Sequence, residues 1–176
     1  MRRQFDSLAP VWDSMRLDDT FAPYEAALDE LPEPPARILD VGTGTGAGAL
    51  RLAQRFPAAT IVGVDLSDAM LAQARRNTPN DLSLTYERAD ASALPFPDAS
   101  FDLVTHANMI PFFDEVARVV APGGHALFAF SSGAGTPIYV PAERLQEELA
   151  RRGFTDFADV RTARGNALLA RKADPA

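Results

Sequence analysis

The chain contains no cysteine. Disulfides, thiol nucleophiles and thiolate metal sites are excluded at once. Histidine is scarce too: His106 and His125 are the only two, so a zinc site of nitrogen ligands is not expected. No stretch approaches the ~18 uninterrupted apolar residues that a membrane-spanning helix needs. The opening Met1-Arg2-Arg3-Gln4-Phe5-Asp6 is basic but leads into no apolar segment of the kind a secretory signal carries. A cytoplasmic location and no membrane partner are the resulting expectations. Basic residues are also outnumbered, with 17 Lys and Arg against 24 Asp and Glu, a formal charge of −7. Proteins that bind nucleic acid draw much of their affinity from neutralising phosphates, so no nucleic-acid partner is expected.

What is present is the composition of one globular unit, 176 residues of which 47% are hydrophobic. Two helical pieces are predicted in a leader over residues 1–36, roughly 3–14 and 20–31. Pro32, Pro34 and Pro35 then break the chain, since proline lacks an N–H and resists helix continuation. A core over 37–172 follows, in which apolar runs alternate with amphipathic segments. Strands are predicted at 38–41, 60–65, 82–87, 101–105 and 126–130, with helices at 46–56, 67–77, 110–120 and 141–152. Gly153 stands at the helix C′ position, where glycine alone is unstrained. Residues 157–162 and 166–171 read as a closing strand pair about a Gly165 turn. Alternating strands and helices imply a mostly parallel, doubly wound seven-stranded α/β sheet with helices on both faces. The short last connection implies an antiparallel final strand.

The sharpest feature is Ile38-Leu39-Asp40-Val41-Gly42-Thr43-Gly44-Thr45-Gly46, a strand that ends in a glycine loop and opens a helix. Glycines at such a turn let ligand atoms approach the backbone where a Cβ would intrude. The spacing does not name the ligand. Gly42-x-Gly44-x-x-Ala47 also satisfies a loose dinucleotide fingerprint, and Asp65, at the end of the second strand, suits the ribose of either ligand class. A nicotinamide-dependent oxidoreductase stays open at this point.

Three further stretches carry a resemblance. Asp40 stands before the first glycine. Ala89-Asp90-Ala91-Ser92-Ala93-Leu94-Pro95-Phe96-Pro97-Asp98-Ala99-Ser100-Phe101-Asp102-Leu103-Val104 leads into the fourth strand, and Val119-Val120-Ala121-Pro122-Gly123-Gly124 precedes the fifth. In this order they resemble the class I (Rossmann-like) S-adenosylmethionine (SAM)-dependent methyltransferases. The opening Phe5-Asp6-x-x-Ala9-x-x-Trp12-Asp13 is similar to that of the ubiquinone/menaquinone-type small-molecule members.

The resemblance implies S-adenosyl-L-methionine as methyl donor, S-adenosyl-L-homocysteine as product and a small organic acceptor, in a monomer or homodimer. It implies Asp40 as electrostatic partner of the methionine ammonium, through backbone neighbours or water. Gly42 and Gly44 would admit the methionine chain, with Thr43 and Thr45 contacting it by hydroxyl or backbone, and Gly46 would belong to the same cofactor-binding loop. Asp65 would hold the ribose, Leu66 and Met70 flank adenine, Asp90 accept the adenine amino group and Ala91 face the ring. Trp12, in the leader, would help form a helical cover over the site. His106, read as lying just past the fourth strand, is the candidate general base, titrating near the ordinary value of about 6.5. The chain departs from the resemblance between Asp102 and Pro122, where it is several residues shorter than relatives that carry a His-His pair or similar. A binding module without turnover is the second reading.

Overall fold

A computed structural model describes residues 20–132 and 138–175. Its centre is a seven-stranded sheet in the order β3-β2-β1-β4-β5-β7-β6. The strands are β1 (Arg37–Val41), β2 (Thr60–Asp65), β3 (Leu84–Arg88), β4 (Phe101–Ala107), β5 (Val120–Phe130), β6 (Phe154–Arg161) and β7 (Asn166–Lys172). The first five strands pair in parallel, whereas β7 runs antiparallel between β5 and β6. β1 is central and, apart from Arg37, wholly buried, as a parallel strand covered on both faces must be. The order of connections reverses between β1 and β4, which creates a crevice at the carboxyl ends of these strands.

Among the described residues five helices cover the sheet: α1 (Ala22–Leu28), α2 (Ala47–Arg55), α3 (Asp68–Asn77), α4 (Phe113–Val119) and α5 (Ala142–Ala150). Alternation along the strands divides the core into two layers. Ile38, Leu103 and Leu127 pack with α1, α2 and α3, while Leu39, Val104 and Phe128 pack with α4 and α5. α3 begins where the Ser67 hydroxyl accepts the Met70 N–H at 3.2 Å, and it ends in Arg75 and Arg76, the cations a helix C-terminus favours. Gly153 takes φ +84°, but α5 ends at Ala150 with Arg151 as its C-cap, so the glycine stands one position beyond the expected C′. Among the described residues no helix is long and apolar enough to cross a membrane.

Several expected boundaries move: the strand expected at 157–162 starts at Phe154, the one at 82–87 starts at Leu84, and the helices expected at 20–31 and 141–152 shorten to Ala22–Leu28 and Ala142–Ala150. The helix predicted at 110–120 starts only at Phe113, after Pro111. β5 begins at Val120, earlier than the apolar run suggested, because the 120–124 segment continues beside β4 through a register shift. β4 continues to Ala107, so His106 lies inside the strand, paired with Val41 on one side and Phe128 on the other. The second leader piece forms α1, whose Tyr24, Ala27 and Leu28 are buried against β5, β6 and β7. That part of the expected cover is thus a wall of the core. The first piece, with Trp12, lies outside the described residues.

Candidate functional site

At the end of β1 the chain turns through Gly42 (φ +69°), Gly44 (φ +55°) and Gly46 (φ +85°), all in the left-handed region where an L side chain is strained. The loop is pinned by its own backbone: Thr43 N–H donates to Val64 O and Gly46 N–H to Thr43 O, each at 2.9 Å. The three glycines serve different neighbours. A Cβ on Gly42 would meet the thioether of Met109, and one on Gly46 would meet the Tyr86 hydroxyl. At Gly44 the nearest atom to such a Cβ among the described residues is the Gly42 carbonyl at 4.0 Å, so they leave space open there. The approach expected at Gly42 and Gly44 is therefore available at Gly44, whereas Gly42 and Gly46 are glycine because protein side chains fill the space.

Asp65 ends β2 with its carboxylate across the mouth of this loop. Its Oδ2 accepts the Gly44 N–H and its Oδ1 the Ser67 N–H, both at 2.9 Å. These two bonds fix the carboxylate between the glycine loop and the start of α3. Beside it, Ala89 N–H donates to the Asp65 carbonyl at 3.2 Å, which brings the segment after β3 to the same edge. Asp90 there is exposed, and its Oδ1 accepts from the backbone and hydroxyl of Ser92 at 2.9 and 2.6 Å. These bonds hold its carboxyl below the usual range. Ala91 is half-buried beside it and Leu66 stands 43% exposed at the end of β2. The sheet thus gathers Gly44, Asp65, Leu66, Asp90 and Ala91 at one edge.

Other expected residues lie deeper. Thr43, Thr45 and Met70 are buried. Asp40 is only 2% exposed, enclosed by the protein itself. Its Oδ1 accepts the Thr105 hydroxyl at 2.7 Å, and its Oδ2 would lie 3.3 Å from a Cβ on Gly48 in the first turn of α2. It therefore acts from beneath the loop and cannot touch a ligand above it. Burial pushes its carboxyl up to about 6.

His106 is likewise buried, stacked on Phe128 at 4.9 Å between ring centroids. Burial pushes its imidazole down to about 3, so the ionisation expected near 6.5 does not occur. The ring is neutral throughout the working pH range. Among the described residues neither of its nitrogens has a hydrogen-bond partner.

With this geometry in place, comparison with known proteins is direct. Residues 38–124 match the family model described as a methyltransferase domain. Those residues form a methyltransferase domain of the class I type. Over 133 residues the chain is 47% identical to demethylmenaquinone methyltransferase of Thermus thermophilus, covering 68% of this chain and 60% of the relative. It is 47% identical over 110 residues to malonyl-[acyl-carrier protein] O-methyltransferase of Geobacter sulfurreducens, covering 58% of this chain and 40% of the relative. The chain thus spans about half the length of these curated relatives. Among solved structures, a chain of the complex between the Haloferax volcanii Trm112 methyltransferase activator and a putative methyltransferase superposes with a TM-score of 0.80. Its identity is 22%, with 99% of this chain and 98% of that one covered.

Several residues that build this edge of the sheet carry little sequence signal. Thr105 orients Asp40 but looks like any strand threonine. Arg118 binds the Leu94 and Phe96 carbonyls at 2.9 and 2.6 Å and so locks the segment after Asp90 onto α4. Asn108, at φ +53°, does carry a signal: asparagine after a strand tolerates the left-handed region. Its Oδ1 accepts the Ser131 N–H at 2.9 Å and the Ser131 hydroxyl at 3.0 Å, tying the ends of β4 and β5 together.

Proposed function

We propose that the domain transfers a methyl group from S-adenosylmethionine to a small organic acceptor by in-line displacement. The observation that carries this reading is the Gly44–Asp65 pair: an open glycine Cα beside a carboxylate already fixed by two backbone amides. A bulky, cationic, ribose-bearing ligand fits this pair, since the cradle admits its chain and the carboxylate accepts hydroxyls. Bound S-adenosylmethionine would supply a methyl carbon already activated on a sulfonium. Asp65 takes the ribose hydroxyls, Leu66 and Ala91 flank the adenine and Asp90 receives its amino group. Asp40 contributes negative potential through the loop amides it underlies, favouring a cation above them.

Alignment and exclusion of water supply much of the rate in such a displacement. An acceptor lone pair forms the new bond to carbon as the carbon–sulfur bond breaks, and the sulfur leaves with the electron pair. A proton is removed only where the acceptor still carries one. His106, neutral at the end of β4, is the proposed receiver, on condition that the acceptor reaches one of its buried nitrogens. Its burial favours a second reading, a binding module without turnover. Methyl transfer from radiolabelled S-adenosylmethionine across a panel of small acceptors tests the proposal. Incorporation into an acceptor supports it, and tight binding with no incorporation supports the module.

A further inference from the structure

The strand order places β1 between β2 and β4. Asp65 ends β2, His106 lies one residue from the end of β4, and Gly42 directly follows β1. His106 pairs with Val41, so Gly42 comes next after the point of β1 that lies beside the imidazole's residue. Strands β2 and β4 are two spacings apart, about 10 Å. A ligand that gives its ribose to Asp65 and its reacting methyl to an acceptor at His106 has to cross the end of β1. The space over Gly42 is taken. The Met109 thioether lies where a Cβ on that glycine would stand, with the Met109 Cγ and Cβ 3.2 and 3.5 Å from the same point.

Met109 is anchored from one side. Asn108, before it, is fixed at φ +53°, its N–H donating to Ala129 O at 2.8 Å and its Oδ1 accepting from Ser131. After it, among the described residues, no backbone–backbone hydrogen bond holds Met109, Ile110 or Pro111 before α4 starts at Phe113. Pro111 has no N–H to give, and Ile110 stands 46% exposed. Met109 itself is partly buried, against the core layer that holds Val41 and Phe128. Methionine is unbranched, with three rotatable side-chain bonds, so its thioether can change place while its backbone stays put. We infer that Met109 is a cofactor-site residue whose thioether occupies the crossing over β1 and swings out when S-adenosylmethionine binds. The inference rests on the methyltransferase reading given above. One methionine chain then replaces another on the same glycine, and the size of residue 109 sets the affinity for the cofactor.

The test uses the full chain labelled with carbon-13 at its four methionine methyl groups, the Met109 signal being assigned by its loss in Met109→Leu. Titration with S-adenosylhomocysteine is followed by nuclear magnetic resonance and, in parallel, by calorimetry. The Met109 methyl signal should shift saturably, with the dissociation constant that calorimetry gives, and lose its Overhauser contact with the Gly42 α-protons. Met109→Ala clears the crossing and should bind S-adenosylhomocysteine about three- to tenfold more tightly. A methionine that only packs on Gly42 would instead lower the thermal midpoint of Met109→Ala and leave affinity unchanged. An unmoved Met109 signal at saturation, or an affinity of Met109→Ala no higher than that of the wild type, overturns the inference. Should Met109→Ala fail to fold, the wild-type titration decides alone. Calorimetric binding with an unmoved signal leaves the methyltransferase reading standing, whereas no heat at all removes that reading and the inference with it.

Discussion

Replacing Asp40 with asparagine separates what the buried charge does for the fold from what it does for a ligand. In the folded chain burial holds the carboxyl up to about 6, against an ordinary value of 3.8. A raised carboxyl means that the folded state keeps its proton where the unfolded state has released it. Stability is then highest below the unfolded value and falls as pH rises to about 6. At about 1.36 kcal/mol per pH unit, ionisation of Asp40 removes about 3 kcal/mol by pH 7.5. The asparagine amide in Asp40→Asn keeps an oxygen for the Thr105 hydroxyl and carries no charge. Urea unfolding of wild type and Asp40→Asn at pH 4 and pH 7.5 measures the difference. Wild type should lose about 2.4 kcal/mol relative to the variant across that interval, since the unfolded carboxyl is already more than half ionised at pH 4, and the comparison cancels titration of all other groups. The variant should also bind S-adenosylmethionine about tenfold more weakly, because the negative potential beneath the loop is gone. Parallel pH profiles for the two proteins would refute the burial argument. Unchanged affinity would show that the charge does nothing for the ligand.

His106, held neutral by burial with its ionisation near 3, should give turnover with no inflection near pH 6.5. His106→Gln should lower turnover by about 10²–10⁴-fold with S-adenosylmethionine affinity unchanged, if the imidazole takes a proton. Near-normal turnover would make it a pocket wall. Gly44→Ala, at φ +55° with open space around it, should fold with a strain of about 1–2 kcal/mol and lose ligand affinity. Gly46→Ala should destabilise the fold more than Gly44→Ala, because its Cβ meets Tyr86 as well as an unfavourable φ. Thermal unfolding and calorimetry on both variants decide whether their effects separate in this way.

The alternation of apolar runs makes the sheet legible in the sequence. Buried parallel strands read as short continuous apolar stretches, so Thr60–Asp65 is legible to the residue. The antiparallel closing pair is legible for a different reason, since only a hairpin fits so short a link. His106 falls inside a strand it was expected to follow, because the apolar signal of β4 stops at Thr105 while its backbone pairing continues to Ala107. The glycine loop is visible in the sequence, but not which glycine faces open space. That depends on Met109 and Tyr86, which lie far along the chain and reach the loop only through the fold. The outward or inward orientation of Asp40 is equally hidden, because it follows from strand alternation against α2 and from Thr105 on the neighbouring strand.

The central claim is that Gly44 admits the methionine chain of S-adenosylmethionine while Asp65 holds its ribose, and calorimetry with the wild type and Asp65→Ala tests it most directly. The wild type should bind S-adenosylmethionine and S-adenosylhomocysteine. Loss of a carboxylate that accepts ribose hydroxyls removes about 1.5–3 kcal/mol. The variant, with its circular dichroism spectrum unchanged, should therefore bind about one to two orders of magnitude more weakly. No heat with either ligand, or an unchanged dissociation constant in Asp65→Ala, would contradict the account.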